Sequence, residues 1–531
     1  MRDELRGQYA HILVDEYQDV NRASALLLKE LAADGEKLWV VGDARQSIYR
    51  FRGAAPTNTT EFEKDYPNGK RLALAVNYRS RKQIVDAFGA YSGSMTVGSG
   101  RKGALQSNRG PGVDPLDFNV ARDRNAEIAG IAAAIEKYRG AGCDYRDQAV
   151  LCRSHSNLQK IAVGLEAVGV PVLYIGDLFE RPEVRDILSL VSFVSERGRG
   201  GLMRVATLPR YKMPLADVRA FLTHAGKTER TPLAALADAD ELVGISPAGK
   251  AALATLRSDL DGVAFKTGPG QLVIRLLFER GLVRDYLSGN SAADQQRRLA
   301  IHQFLQFAVE NDRPDQSDPK RLMLGWIRRL EIFGDERALR EAPAAVDGID
   351  AVRLMTVHAS KGLEFRAVHL PTLGSGIFPL SRKGTTCPAP DGMLPTTPEV
   401  SHAEEEQCLF FVALSRARDH LSLSRAERYS DKRGSKPSPA LEAIAGHLAR
   451  APDADPTWTK PLPPVPDQGL RPDLKRTARE HDGRDLELYL SCPRRYLYQT
   501  MLELSGSRED GTGCAERKLP QPIGFRPLPG S

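Results

Sequence analysis

Short strand-like runs alternate with helical patterns along most of this chain, and that alternation narrows its fold more than any other feature. The runs lie at 11–14, 37–41, 71–76, 148–152, 170–175, 352–357, 367–370 and 420–423. Helical spacing of apolar residues separates many of them, at 22–33, 123–138, 156–168 and 402–417. Apolar strands with helices between them pair in parallel and have both faces covered, so the expected class is α/β. The stretch 196–348 breaks this rhythm. It holds few strand-like runs and several helical ones (215–224, 248–264, 270–282, 294–310, 319–333), and predicts a mainly helical domain inserted into an α/β domain. Residues 91–114, rich in Gly and Ser, and 374–400, rich in Gly, Pro and Thr, predict loops; the proline-rich 451–472 predicts a linker.

Size and composition exclude several classes. With 531 residues the chain predicts about three or four domains. Hydrophobic residues at 41% and charged ones at 27% exclude wholesale disorder. No uninterrupted apolar run approaches a membrane span, and Met1-Arg2-Asp3-Glu4-Leu5-Arg6 is no secretory signal. Cysteines at 143, 152, 387, 408, 492 and 514 form neither a disulfide framework nor a zinc knuckle, which points to the reducing cytoplasm. The charge balance, 74 Lys and Arg against 68 Asp and Glu, permits nucleic-acid binding without arguing for it.

The first run continues as Ile12-Leu13-Val14-Asp15-Glu16-Tyr17-Gln18-Asp19. Ligands of open α/β sheets bind at the C-terminal edges of strands, where this run places two adjacent carboxylates. One suits Mg²⁺, directly or through water, and its neighbour can orient and deprotonate an attacking water. A bare Asp-Glu pair more often reads as a solvated acidic turn. Four further blocks change that reading. They are Val40-Val41-Gly42-Asp43-Ala44-Arg45-Gln46-Ser47-Ile48-Tyr49-Arg50-Phe51-Arg52-Gly53-Ala54, Asn77-Tyr78-Arg79-Ser80, Arg353-Leu354-Met355-Thr356-Val357-His358-Ala359-Ser360-Lys361-Gly362-Leu363-Glu364-Phe365, and Glu404 to Arg418. A nucleotide cleft between two lobes needs cations on the far lobe, where arginine supplies a fixed fork and a permanent charge. Tracking a single strand needs π-faces that accept any base, and Tyr49-Arg50-Phe51-Arg52 interleaves aromatics with cations.

In order and spacing these five blocks resemble motifs two to six of superfamily 1 DNA helicases of the UvrD/Rep/RecB type, over residues 11 to about 425. The resemblance implies RecA-like P-loop NTPase lobes: part of a first lobe at 1–70, and a complete second lobe at 71–195 and 349–450 that carries the helical domain. It implies ATP and Mg²⁺ as cofactors and single-stranded and duplex DNA as partners. The implied activity is ATP-driven 3′-to-5′ translocation and unwinding in repair or recombination. Residue by residue, it implies that Asp15 holds magnesium and Glu16 is the base for water. Gln46 senses the γ-phosphate, which Arg79 and Arg416 reach from the second lobe. Tyr78 stacks on adenine, and Gly362 and Glu364 face the nucleotide. Thr356 and His358 lie on the DNA side, and Tyr49, Phe51 and Arg52 meet single-stranded bases. Phe51 stands where the family often has Trp. Tyr78 and Phe51 also read as core aromatics, and His358 as a structural histidine. Lys361 reads as backbone-positioning or solvated, and Arg418 as a surface arginine.

The family's first motif, a Gly-rich phosphate loop ending in Gly-Lys-Thr or Gly-Lys-Ser, has no counterpart among these residues. Gly98-Ser99-Gly100-Arg101-Lys102-Gly103 follows no convincing strand and reads as a loop. The expectation is a helicase shortened at its amino terminus, with the phosphate loop supplied by an upstream segment or a partner chain. The rival is a non-catalytic DNA-binding or scaffold subunit. Leu486-Glu487-Leu488-Tyr489-Leu490-Ser491-Cys492-Pro493-Arg494-Arg495-Tyr496-Leu497-Tyr498-Gln499 resembles the entry helix of RecB-family PD-(D/E)XK nuclease domains, which implies a truncated nuclease-like tail at 473–531; the alternative is a lone helix on the helicase surface.

Overall fold

The computed structural model describes residues 2–50, 53–54, 57–98, 105–174, 178–195, 200–264, 266–282, 289, 291–312, 318–333, 348–381, 398–430, 433–463 and 487–488. It divides into two compact units. One comprises Met1–Gly176, Gly289–Gln296 and Ala342–Asp467; the other is built mainly from Asp177–Ser288 and Arg297–Glu341. Every regular element described in the second unit is helical, and the unit takes in the helix Pro182–Ser195, which lies ahead of residue 196. Its interior includes a two-pronged ion pair from Arg210 to the buried Asp259, at 2.6 and 2.7 Å, completed by the Tyr211 hydroxyl at 2.9 Å.

Two sheets organise the first unit. A small one pairs β1 (Ile12–Val14) with β2 (Leu38–Val40) in parallel, Leu13 opposite Trp39. The helix between them, Arg22–Ala32, starts where the Asn21 side chain accepts the Ser24 N–H at 2.9 Å. β3 (Val76–Asn77) and β4 (Gln106–Ser107) form a short parallel pair. The large sheet holds β5 (Asp117–Ala121), β6 (Gln148–Cys152), β7 (Val172–Leu173), β8 (Val352–Thr356), β9 (Phe365–Leu370) and β10 (Ala417–Ala426) in the order β5-β10-β9-β6-β8-β7. All of its pairings are parallel.

β6 is buried at every position, because helices cover both faces. Ala149 and Leu151 pack with Ile84, Phe88, Phe410 and Leu414, from the helices Lys82–Ser94 and Pro398–Leu414. Val150 and Cys152 pack with Ile128, Ile131, Leu158 and Ile161, from Arg124–Gly140 and His155–Ala167. The α/β class with parallel sheets therefore holds. Between β8 and β9 the chain passes β6 through residues 357–364 alone. Parallel strands usually need a longer, helical crossover. This one is a series of turns, pinned by Ala359 N–H on Thr356 Oγ1 (3.3 Å), Ser360 Oγ on the Val357 carbonyl (2.8 Å) and Leu363 N–H on the Ser360 carbonyl (3.0 Å).

Three local expectations are corrected. Pairing in the run at 71–76 begins only at Val76, opposite Gln106, and leaves Leu72 and Leu74 72% and 76% exposed. The expected loop at 91–114 begins late, because the helix Lys82–Ser94 extends the apolar stripe of Ile84 and Phe88 to Tyr91, whose ring meets Phe410 at 4.8 Å. The linker expected from 451 is docked as far as Leu462. Trp458 bridges to Ala121 of the edge strand β5 and covers Gly130, where a Cβ would lie 2.0 Å from its ring; Leu462 covers Gly164 in the same way. An unpaired sheet edge explains the docking, since it offers backbone groups to any passing chain. The tail at 473–531, apart from 487–488, and the stretch 99–104 lie outside the described residues. Among the described residues no helix is long and apolar enough to cross a membrane. Cys143, Cys152 and Cys408 are buried free thiols.

Candidate nucleotide and DNA site

The site grows from the end of β1. Glu16 adopts a left-handed conformation, φ 50°, that turns the chain sharply after the strand. Its N–H donates to Asp15 Oδ1 at 2.9 Å, and the next N–H, of Tyr17, donates to the Val41 carbonyl at 2.9 Å. Asp15 and Glu16 are both exposed, whereas Tyr17 and Gln18 are buried beneath them. Gln18 ties the turn to the second block. Its amide N–H donates to Glu16 Oε2, and its oxygen accepts the Asp43 N–H at 2.9 Å. A Cβ at residue 42 would stand 2.7 Å from that oxygen, so the approach requires Gly42. Gln18 carried no label in the sequence reading. The signal available was a polar residue two places past Glu16, where the turn returns into the protein.

The Arg-bearing blocks sit at the N-terminal ends of the large sheet's strands. Arg416, just before β10, is 2% exposed. It donates to the carbonyls of Val412 (3.1 Å) and Leu363 (3.3 Å) and to Ser415 Oγ (2.9 Å), and Nη2 meets Gln46 Oε1 at 3.5 Å. Burial, and after it the charge of Arg79, holds its pKa down to about 10. Arg79 donates to Glu364 Oε2 at 2.7 Å, while Arg418 approaches the other oxygen of Glu364 at 3.3 Å. Arg418 is thus not an isolated surface arginine but shares the carboxylate of Glu364. Behind Arg79, Arg109 donates to the Arg79 carbonyl at 2.9 Å and pairs with Asp419 at 3.0 Å, and Arg81 pairs with the same carboxylate at 3.2 Å. Nothing local in the sequence announces this support, because its members lie far apart along the chain. Tyr78 is 70% exposed, which removes the core-aromatic reading. Gly362, φ 82°, is exposed beside Glu364.

On the other side of this cluster, the Tyr49 hydroxyl donates to the His358 carbonyl at 3.3 Å, and the two rings lie 6.5 Å apart. Thr356 is 8% exposed, and its hydroxyl accepts the Ala359 N–H at 3.3 Å. Phe51 and Arg52 lie outside the described residues. Arg50, which the sequence places among strand-binding cations, turns inward instead. It is 10% exposed and pairs with Glu404 at 2.5 Å, because the adjacent helix offers a carboxylate nearer than solvent. Lys361 is not solvated; of the two readings the sequence left open, the structure fits the backbone-positioning one. Its side chain is 6% exposed and donates to Asp19 and, at 2.9 Å, to the Gln46 carbonyl, with Glu16 Oε2 at 3.6 Å.

The arrangement brings Glu16, Gln46, Lys361 and Arg416 into one connected cluster, with Arg79 and Glu364 at its margin. Among the described residues no group of three or more His, Cys, Asp or Glu is placed to cage a metal. Asp15 instead offers a single exposed carboxylate, which fits a magnesium ion held chiefly by a nucleotide's phosphates and water.

Comparison with known proteins identifies the family. The family description "UvrD/REP helicase N-terminal domain" matches residues 1–67, and "UvrD-like helicase C-terminal domain" matches 72–230 and 266–428. The chain is similar to the ATP-dependent DNA helicase PcrA of Bacillus subtilis (strain 168), with 31% identity over 430 residues, 79% of this chain and 55% of the relative. It is similar to PcrA of Leuconostoc citreum, with 29% identity over 458 residues, 83% and 58% of the two chains. It is similar to UvrD1 of Mycobacterium tuberculosis (strain ATCC 25618 / H37Rv), with 30% identity over 448 residues, 79% and 55%. The chain spans a little more than half the length of these relatives. With its five blocks folded onto parallel sheets and one family description covering more than half of its residues, the chain belongs to the UvrD/PcrA-type superfamily 1 helicases.

Proposed function

We propose that this chain provides the motor of an ATP-dependent 3′-to-5′ DNA helicase or translocase acting in repair or recombination, with the small sheet in a first RecA-like lobe and the large sheet forming the second. The observation that supports this best is the 3.5 Å contact of Arg416 with Gln46, which sets a buried cation of one sheet against a polar side chain of the other. The three relatives compared above, two PcrA proteins and one UvrD1, are named ATP-dependent DNA helicases. Magnesium at Asp15 would neutralise charge on the β- and γ-phosphates. Glu16, held by Gln18, takes the proton from the attacking water; Gln46 reads the γ-phosphate; Arg416 and Arg79 meet the charge that develops on it. Arg79 must leave Glu364 to do so. Tyr78 offers its exposed ring to adenine, with Gly362 and Glu364 beside the nucleotide. Tyr49, Phe51, Arg52, Thr356 and His358 serve single-stranded DNA.

The phosphate cradle is assigned to a segment upstream or in a partner chain, since Gly226-Lys227-Thr228 closes the helix Leu215–Lys227 and follows no Gly-rich loop. In support, Leu13 and Trp39, neighbours across β1 and β2, are 77% and 58% exposed and offer an apolar face to such a segment. The alternative reading is a DNA-binding scaffold without hydrolysis. The test measures oligo(dT)-stimulated ATP hydrolysis by the chain alone and by the chain joined to a phosphate-loop segment. Background activity alone, strong stimulation when joined, and loss on Glu16→Gln are expected. Hydrolysis by the chain alone that Glu16→Gln abolishes overturns the cradle assignment. A joined form that binds oligo(dT) without hydrolysis supports the scaffold.

A further inference from the structure

Lys361 lies within the short connection between β8 and β9, and its neighbours come from the first fifty residues. The ammonium donates to the Asp19 carboxylate and to the Gln46 carbonyl at 2.9 Å, and stands 5.3 Å from the centre of the Tyr49 ring. A buried ammonium is costly unless it is paired, so this contact set is specific rather than incidental. Asp19 depends on the pair in turn. It is part-buried, its Oδ1 has no hydrogen-bond partner, and Lys361 is the cation on its Oδ2. Tyr49 is therefore fixed at two points by one connection: its ring face by Lys361 and its hydroxyl by the His358 carbonyl at 3.3 Å.

We propose that the Asp19–Lys361 pair is a positioning strut that holds the Tyr49 and Gln46 segment in its strand-binding geometry without touching the nucleic acid. The proposal rests on the reading of Tyr49 as a contact to single-stranded DNA. It makes a prediction opposite in sign to simple electrostatics. Removing a carboxylate near a polyanion strengthens binding on charge alone, yet removing Asp19 weakens it if the strut matters. Removing a lysine that touches a phosphate reduces the salt dependence by about 0.7 in log–log slope for a single strand. Removing Lys361 leaves the slope unchanged, because the ammonium meets protein groups.

The experiment measures the affinity of the full chain for a fluorescent oligo(dT) across a series of salt concentrations. The variants are Asp19→Asn, Lys361→Met, Lys361→Arg and the Asp19→Asn/Lys361→Met double. Each of the Asn and Met variants is expected to weaken binding by about five- to tenfold at unchanged slope, as for residues in one network. The double should be no worse than either alone, and Lys361→Arg should recover much of the loss. Circular dichroism identifies a variant that fails to fold; Asp19→Asn, which keeps the ammonium, then decides. Tighter binding by Asp19→Asn, or a slope lowered by about 0.7 in Lys361→Met, overturns the strut. Unchanged affinity in both does the same. A wild-type chain that binds no oligo(dT) removes the DNA reading beneath it, a distinct outcome.

Discussion

The large sheet and the β1–β2 pair of the first unit serve one site but are built to different standards. In the large sheet, β6 is buried along its whole length, with helices packed on both faces. In the small sheet, Leu13 and Trp39 face water at 77% and 58% exposure. Arg416 stands on the edge of the covered sheet, where Arg79, from the turn after β3, meets it through Glu364 and the Ser415 carbonyl, while Asp15, Glu16 and Gln46 stand on the open one. A parallel sheet of two strands with a wet face lacks the cover such sheets need. Its geometry is set partly by contacts from the large-sheet side, from Lys361 to Asp19 and from Glu404 to Arg50. The half of the site that presents cations is rigid by its own packing, and the half that presents carboxylates borrows its rigidity.

The contrast is sharpest at the chemistry. In a form joined to a phosphate loop, Arg416→Ala should lower ATP turnover by about 10³–10⁵, with a smaller loss in nucleotide affinity, because the charge it meets develops in the transition state. Steady-state and single-turnover rates check this, and normal turnover would return Arg416 to a structural role.

Packing offers the next test. Leu151→Ala, at a fully buried site of the large sheet, should cost about 2–5 kcal/mol in urea unfolding, whereas Leu13→Ala should stay within about 0.5 kcal/mol. Equal costs would mean that the small sheet is covered in solution. Trp458→Ala should cost about 1–3 kcal/mol, since Trp458 fills the groove over Gly130; a deletion after residue 451 should be worse than one after 463. Equal melting temperatures for the two deletions would restore the linker reading.

The smallest effect, taken per pH unit, concerns acidification. Burial holds the His369 pKa down to about 3, and Nε2 stays on Gln148 Oε1 at 3.0 Å. Below the ordinary value of about 6.5 the unfolded chain takes up a proton that the folded chain refuses. Stability should therefore fall by about 1.4 kcal/mol per pH unit on acidification from about 6.5, and His369→Gln should remove that part of the slope. A variant with the wild-type slope would place the titrating group elsewhere.

The sequence carried the sheet class and the five blocks because both are written locally. A strand that is apolar at every position, such as β6, and blocks such as Asp15-Glu16 or Asn77-Tyr78-Arg79 need no distant partner to be noticed. What escaped was set by distance. Lys361 reads as backbone-positioning or solvated until Asp19 is placed against it, and Arg50 reads as a strand-binding cation until Glu404 is. Arg109 and Asp419 gain meaning only through the backbone of Arg79. Trp458 looked like part of a linker because prolines dominate its surroundings, while the unpaired edge of β5 that receives it has no local signature.

The passage from β8 to β9 has a mechanical consequence. Its eight residues, 357–364, reach at most about 26–29 Å when fully drawn out, and several are already drawn into turns. Such a tether lengthens only by breaking the hydrogen bonds that pin its turns. His358 near one end and Glu364 at the other are separated by a nearly fixed length of chain, so a pull on the first is delivered to the second instead of being absorbed. Chain length, as much as residue identity, is therefore constrained here: one residue added to the tether would let its two ends move independently.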